Sequence, residues 1–194
     1  MNKSRILPNP SKKPMAVCIE GYNCALRLIQ PSDAEYVFSL RVNPLYSRYL
    51  SKVTGNVGDQ LVWIKRYKKR ESDLMELYYI IEKLDGSACG TVRLYDIESD
   101  QFTWGSWILD ENKPPKAALE SAILSFGVGF DYLGLEKALV DVRIDNIHAE
   151  AFYRRFGMTE THRSDIDIFF SLTRSQFEIQ KEHYQRLMSV EVEK

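Results

Sequence analysis

Three strand-like runs follow one another between Glu76 and Leu109 on connections too short for a crossover, and no other stretch restricts the fold as much. Glu76–Glu82 is rich in Tyr and Ile, Cys89–Tyr95 follows the hairpin signal Asp85-Gly86, and Phe102–Leu109 follows the turn Glu98-Ser99-Asp100. Parallel neighbours need a crossover of about a dozen residues or more, so these runs can only pair as an antiparallel meander. The third run carries Trp104 and Trp107, which marks it as a core strand.

After Pro114-Pro115 the period of the apolar residues changes from strand to helix. Leu119, Ala122, Ile123, Phe126 and Phe130 form one stripe of a helix predicted over Lys116–Leu133. Gly127 and Gly129 weaken it by up to ~1 kcal/mol each, so packing must hold it, and Gly134 suits its stop. Beyond it the pattern predicts a strand over Lys137–Arg143, a helix over Ile147–Phe156 closed by Gly157, and strands over Met158–Arg163 and Ile166–Leu172. A last amphipathic helix covers Arg174–Leu187. Upstream, a strand at Ala25–Gln30 leads through Pro31-Ser32-Asp33 into a helix at Ala34–Val42, stopped by Asn43-Pro44. A second helix covers Asp59–Arg70, and its basic end, Lys65 to Arg70, suits a helix C-terminus or a phosphate. The order predicts an α+β fold: a mixed central sheet of about seven strands flanked by helices, with an extra C-terminal helix. Residues 1–22, with Pro8, Pro10 and Pro14, read as a flexible leader, 23–173 as the domain, and 174–194 as helix and tail.

A chain of 194 residues fits one such domain. Its net charge of -1 lacks the basic excess of a nucleic-acid binder. Cys18, Cys24 and Cys89 are an odd, scattered set without a C-x-x-C pair, which argues against disulfides and against a metal site. The N-terminal stretch has no apolar core of a signal peptide, and no run reaches the ~18 apolar residues of a membrane span. A cytoplasmic protein is expected, with no membrane partner.

The segment Asn146-Ile147-His148-Ala149-Glu150-Ala151-Phe152-Tyr153-Arg154-Arg155-Phe156-Gly157-Met158 is similar to an N-x-x-A-x-x-x-Y-x-x-x-G-F pattern, with Met158 in place of Phe. Leu133-Gly134-Leu135-Glu136-Lys137 precedes it as a helix-to-strand link. In these residues and in the order of elements, residues 24–172 resemble the GNAT N-acetyltransferase superfamily, particularly its ribosomal-protein and nucleotide-sugar branches. The resemblance implies a GNAT fold and acetyl transfer from acetyl-CoA, as cosubstrate, to a primary amine. It also implies a pyrophosphate loop of the form R/Q-x-x-G-x-G/A, whose glycines let amides approach phosphate at a helix N-terminus. Here the loop reads Lys113-Pro114-Pro115-Lys116-Ala117-Ala118. The prolines bring no amide, while Lys113 and Lys116 supply charge and Ala117 and Ala118 keep the approach close. The alternative is an ordinary proline-started helix with a lysine in its first turn.

By the same resemblance the backbone of Trp107, Ile108 and Leu109 meets pantetheine and the thioester carbonyl. Tyr153 protonates the leaving sulfur, and Asn146 caps its helix and contacts pantetheine. The general base is expected at Asp96, or in water relayed through Ser106, with Glu82, Glu98 and His148 as other candidates. Arg41, Tyr49 and Arg93 are candidates for the acceptor pocket, since an anionic nucleotide diphosphate wants arginine forks. The favoured acceptor is a small-molecule amine, a nucleotide-linked amino sugar. A protein N-terminus is the second reading and a degenerate acyl-CoA-binding scaffold the third. A sheet edge or the C-terminal helix offers a surface for a homodimer.

Overall fold

Lys83 and Ser87 close the first hairpin through the Lys83 amide, 2.9 Å from the Ser87 carbonyl, and Asp85 Oδ1 accepts from the Ser87 amide at 2.9 Å. This computed structural model describes residues 18–192, with side chains through Ser189, so the leader expected over residues 1–17 lies outside the described residues. Within it lie β1 (Cys18–Glu20), β2 (Cys24–Leu28), β3 (Leu77–Lys83), β4 (Ala88–Tyr95), β5 (Gln101–Leu109), β6 (Lys137–Arg143), β7 (Thr159–Arg163) and β8 (Asp167–Thr173). They form one eight-stranded sheet in the order β1-β2-β3-β4-β5-β6-β8-β7. Only β5 and β6 pair in parallel; the other neighbours are antiparallel, including the meander β3-β4-β5. The fold is α+β, with β1 adding an edge strand where the sequence reads as leader.

The helices are α1 (Ala34–Val42), α2 (Pro44–Ser47), α3 (Val57–Ser72), α4 (Ala117–Gly127), α5 (Ile147–Arg155) and α6 (Arg174–Val192). α1 follows a 3-10 turn at Pro31–Asp33, and α3 starts at an Asn56 cap whose side chain accepts from the Gly58 and Asp59 amides. The helix expected to run unbroken to Leu133 instead ends at Gly127 and continues as a π-turn over Val128–Tyr132. Gly129 explains part of that path: a Cβ there would collide with the Phe102 ring, so the backbone passes against the sheet only because the residue is glycine.

Two apolar layers sandwich the sheet. On one face Leu26, Tyr79, Val92, Phe102 and Trp104 pack with Phe126 of α4, Phe130 of the π-turn and Phe177 of α6. Burying an aromatic of this size contributes roughly 2–3 kcal/mol before ordering costs, so α6 is part of the core. On the other face Val37 of α1 with Ile64 and Tyr67 of α3 cover Tyr78 and Ile80 of β3. The Tyr67 hydroxyl accepts from the Tyr78 amide at 2.6 Å, which pins α3 to the sheet. No residue of β5, β6, β7 or β8 belongs to this second cluster, so the helical cover on that face stops at β4. Among the described residues no helix is long and apolar enough to cross a membrane.

Candidate active site

β5 and β6 are held together only at Gln101↔Lys137, Phe102↔Ala138 and Thr103↔Leu139. β5 runs on to Leu109 and β6 to Arg143, so beyond Thr103 the two strands diverge and the β5 backbone facing β6 has no strand partner. Unpaired strand backbone in a cleft is a row of donors and acceptors awaiting a ligand. Trp107, Ile108 and Leu109 lie on this open stretch.

A bulge at Ser106 shapes it. β4 residues Thr91 and Arg93 pair with Ile108 and Gly105, so β5 carries one residue more than β4 across that interval. Ser106 is left-handed, with φ 47°, and its carbonyl accepts from Thr91 Oγ1 at 3.0 Å. The extra residue turns Trp104 and Trp107 onto the same face, although a regular strand would put residues three apart on opposite faces. Trp104 Nε1 donates to Ser125 Oγ at 2.8 Å and Trp107 Nε1 to Ser121 Oγ at 3.1 Å, both on α4. A left-handed non-glycine residue costs on the order of 1–3 kcal/mol, and such strain gathers at functional sites.

The helix α5 presents the next groups. Asn146 caps it, its side-chain oxygen accepting from the Ala149 amide at 3.3 Å. Tyr153, only 6% exposed, packs its ring edge-on to Trp104 at 6.1 Å and to Phe170 at 5.8 Å. It lines the opening beside Ser106, Trp107, Asn146 and Asp141. Burial, reinforced by Asp141 and Tyr95, pushes its phenol well above the ordinary value, so it stays protonated at neutral pH.

Two cavities meet at the bulge. The opening itself holds about 270 Å³, with Tyr49 on its far wall. The larger cavity, about 480 Å³, lies under α1 and α3 and is lined by Trp63, Tyr78, Tyr95 and Arg93. Arg41, Ser51, Tyr95 and Ser106 line both, so one leads into the other. The Arg93 guanidinium sits 4.8 Å from the Tyr95 ring centre and 5.5 Å from that of Trp63, with Nη2 2.8 Å from Glu76. Arg41 Nη2 donates to the Ser51 carbonyl at 2.9 Å and to its hydroxyl at 3.0 Å. Arg41 Nε and Arg93 Nε are buried without a hydrogen-bond partner among the described residues.

The loop after β5 is tied down by Asp110, which accepts from the Tyr36 hydroxyl and from the Asn112 amide, both at 2.8 Å. Lys116, at the position where the loop pattern has its first glycine, is left-handed with φ 62°. Ala117 is buried and its amide bonds the Pro114 carbonyl at 3.2 Å. The first helical bond is Glu120 amide to Lys116 carbonyl, 3.0 Å, so the amides of Ala118 and Leu119 precede it and have no acceptor within the helix. Lys113 and Lys116 are exposed beside them. A left-handed entry, open amides and two cations fit a pyrophosphate despite the missing glycines.

The candidate bases fall elsewhere. Asp96 is exposed in the turn after β4, at the end where β5 and β6 remain paired, and lines neither cavity. Glu98 accepts from Gln101 at 3.0 Å, Glu82 is paired with Arg27 at 2.6 Å, and His148 is exposed on α5. Sequence reasoning passed over Asp141, Tyr78 and Tyr95. Asp141 had a readable signal, a carboxylate alternating with the apolar Val140 and Val142 on a strand.

Residues 24–159 match the acetyltransferase (GNAT) domain. Among solved structures the chain is similar to FdhC, a nucleotide-linked sugar GNAT, with 38% identity and a TM-score of 0.79 over 84% of this chain and 94% of that one. It is similar in fold to the ribosomal-protein-S5-alanine acetyltransferase of Vibrio fischeri (14% identity, TM-score 0.71, 81% and 97% covered). The spermidine N-acetyltransferase of Vibrio cholerae, solved with CoA and spermine, shares the fold at 19% identity and a TM-score of 0.70, with 79% and 97% covered. No curated protein matches the chain.

Proposed function

The chain belongs to the GNAT acetyltransferase family, and from that premise we propose that it moves acetyl from acetyl-CoA to the primary amine of a nucleotide-linked amino sugar. One observation carries the choice of acceptor: two arginines, Arg41 and Arg93, line the larger cavity. Anionic oxygens such as those of a diphosphate are what arginine forks in such a cavity take. Trp63 and Tyr95 add aromatic surface for a base or sugar ring. A polyamine would meet like charge at the two arginines. The similarity to FdhC, a nucleotide-linked sugar GNAT, supports the same reading.

In this reading the α4 entry holds the pyrophosphate through Lys113, Lys116 and the Ala118 amide. The β5 backbone at Trp107–Leu109 takes pantetheine, with Asn146 across the opening, and polarises the carbonyl that the amine attacks. Tyr153 donates its proton to the departing sulfur. Arg41 and Arg93 grip the acceptor's anion, and Tyr49 walls the passage between the two substrates.

The test is turnover with acetyl-CoA against UDP- and dTDP-linked 2-, 3- and 4-amino sugars, spermidine and a peptide with a free N-terminal alanine. Amino-sugar acetylation, with KM raised in Arg41→Ala and Arg93→Ala, is expected. Acetylation of the peptide or of spermidine alone would overturn the acceptor. Calorimetry with acetyl-CoA and a Lys113→Ala/Lys116→Ala variant tests the loop, and absence of binding to the natural chain would favour a scaffold without turnover.

A further inference from the structure

We propose that Asp141 is the catalytic base that takes the proton from the acceptor's ammonium group, with Asp167 beside it as a positioning residue. The assignment rests on the acetyltransferase reading above and adds the group that reading lacks.

The first argument is register. Leu139 is the last β6 residue paired with β5, opposite Thr103. Asp141 is two residues further on, so the same register carried forward sets it across the opening from Gly105, next to the Ser106 bulge. Val140 and Val142 are buried on the opposite face, which leaves Asp141 turned to the groove. It lines the opening with Ser106, Asn146 and Tyr153. None of the sequence candidates Asp96, Glu82 and Glu98 lines this opening, and Asp167 is the other carboxylate that does.

The second argument is independent of the carboxylates. Tyr153 is 6% exposed and still lines the same opening, so an otherwise buried side chain reaches the groove. Tyr153 packs with the core rings on the α4 side, whereas Asp141 stands on the other side of the sheet, and the divergence of β5 and β6 lets both reach one point. An acid and a base then flank the reacting carbon.

The third is the company Asp141 keeps. Asp167 of β8 adds like charge, and Arg143 on its own strand is paired with Asp167 at 3.4 Å. Tyr95 of β4 and Tyr153 of α5 face it with neutral phenols, and Arg41 and Tyr49 stand across the groove. Asp141 itself forms no salt bridge among the described residues. Asp141 is solvent-exposed in the groove, yet partial desolvation first, and Asp167 second, raise its carboxyl above the ordinary carboxylate value, which makes it a better base.

The step balances without another reactant. Asp141 takes one proton from R–NH3+, and the freed lone pair forms the N–C bond to the thioester carbonyl. The adduct collapses with cleavage of the C–S bond, and the sulfur leaves with the Tyr153 proton. The amine's second proton restores Tyr153, and Asp141 returns its own to water.

The experiment uses the full chain, acetyl-CoA and whichever UDP- or dTDP-linked amino sugar the natural sequence acetylates, with rates measured across pH. Asp141→Asn is expected to lower kcat by about 100-fold or more and to abolish the acid limb of the pH profile, with acetyl-CoA affinity by calorimetry unchanged. Asp141→Glu should recover part of the rate. Asp167→Asn should keep the plateau rate and move the acid limb to lower pH, since a neighbouring negative charge is gone. An Asp141→Asn enzyme with natural kcat, or one that changes only KM and keeps its acid limb, overturns the assignment and leaves the transferase reading standing. A natural chain that acetylates no amine on the panel overturns both.

Discussion

The Tyr95 ring lies over Gly105 so closely that a Cβ added to the glycine would stand 3.2 Å from the tyrosine hydroxyl and 3.3 Å from the ring. Tyr95 lines both cavities, and Gly105 is the residue β5 places beneath it. Gly105→Ala must therefore move Tyr95 rather than open the core. A loss of about tenfold in kcat/KM, about 1.4 kcal/mol, is expected with little change in melting temperature. Steady-state kinetics alongside thermal unfolding checks this, and an equal loss in both would place the effect in the fold.

Lys116 separates charge from backbone at the α4 entry. Its φ of 62° costs a side chain about 1–2 kcal/mol that glycine does not incur. Lys116→Gly should unfold at higher urea than Lys116→Ala, by about 1 kcal/mol. Both should bind acetyl-CoA more weakly and with less salt dependence, as both lack the cation.

Glu120 is fully buried in α4, and its carboxylate accepts from the Tyr22 amide, from the Asn23 amide at 3.0 Å and from Asn23 Nδ2 at 3.0 Å. It fastens the turn between β1 and β2 to the helix. Glu120→Gln turns an amide NH2, itself a donor, toward this ring of donors and should destabilise the chain by about 2 kcal/mol, read as a lower urea midpoint. Acetyl-CoA binding by the folded fraction should be unaffected.

Asp141 should carry a stability signature as well. Its carboxyl is held above the unfolded value, so between the two values the folded chain binds more protons than the unfolded one. Stability from this group is then fully present below the unfolded value, near 3.8, and lost as pH rises through the folded one. Asp141→Asn, which is never charged, should melt at a higher temperature than the natural chain at pH 7. The gap should narrow as pH falls toward 4, and a gap that widens instead would mean that the carboxylate is stabilised rather than strained.

Much of the architecture is written locally. Asn43-Pro44 ends α1 at Val42, and β6 occupies Lys137–Arg143 as alternation predicts, because turn chemistry and period are properties of neighbours. β1 escaped because three residues show no period, and its partner β2 supplies what its own sequence lacks. The end of α4 escaped because Gly129 answers to Phe102, a contact across the fold. At the site, Tyr153 and Asn146 were marked by a contiguous motif. Asp96 was picked as a carboxylate at a strand end, and the sequence does not say which end of β5 and β6 parts. Trp63, Tyr78 and Arg93 converge from a helix and two strands, so their shared cavity is invisible until α3 lies on the sheet. Two indole rings three residues apart on one strand, Trp104 and Trp107, did carry the bulge in plain view, since both can reach one layer only if a residue between them is extra.

The second helical cover stops at β4, and that boundary divides the sequence as well as the surface. Most of what surrounds the larger cavity is encoded before Asp96, in α1, α3, β3 and β4, whereas the α4 entry, the open stretch of β5 and the head of α5 come after it. Ser106 is the joint at which the two meet. Substitutions in α3 can therefore reshape the larger cavity without touching a residue that lines the opening.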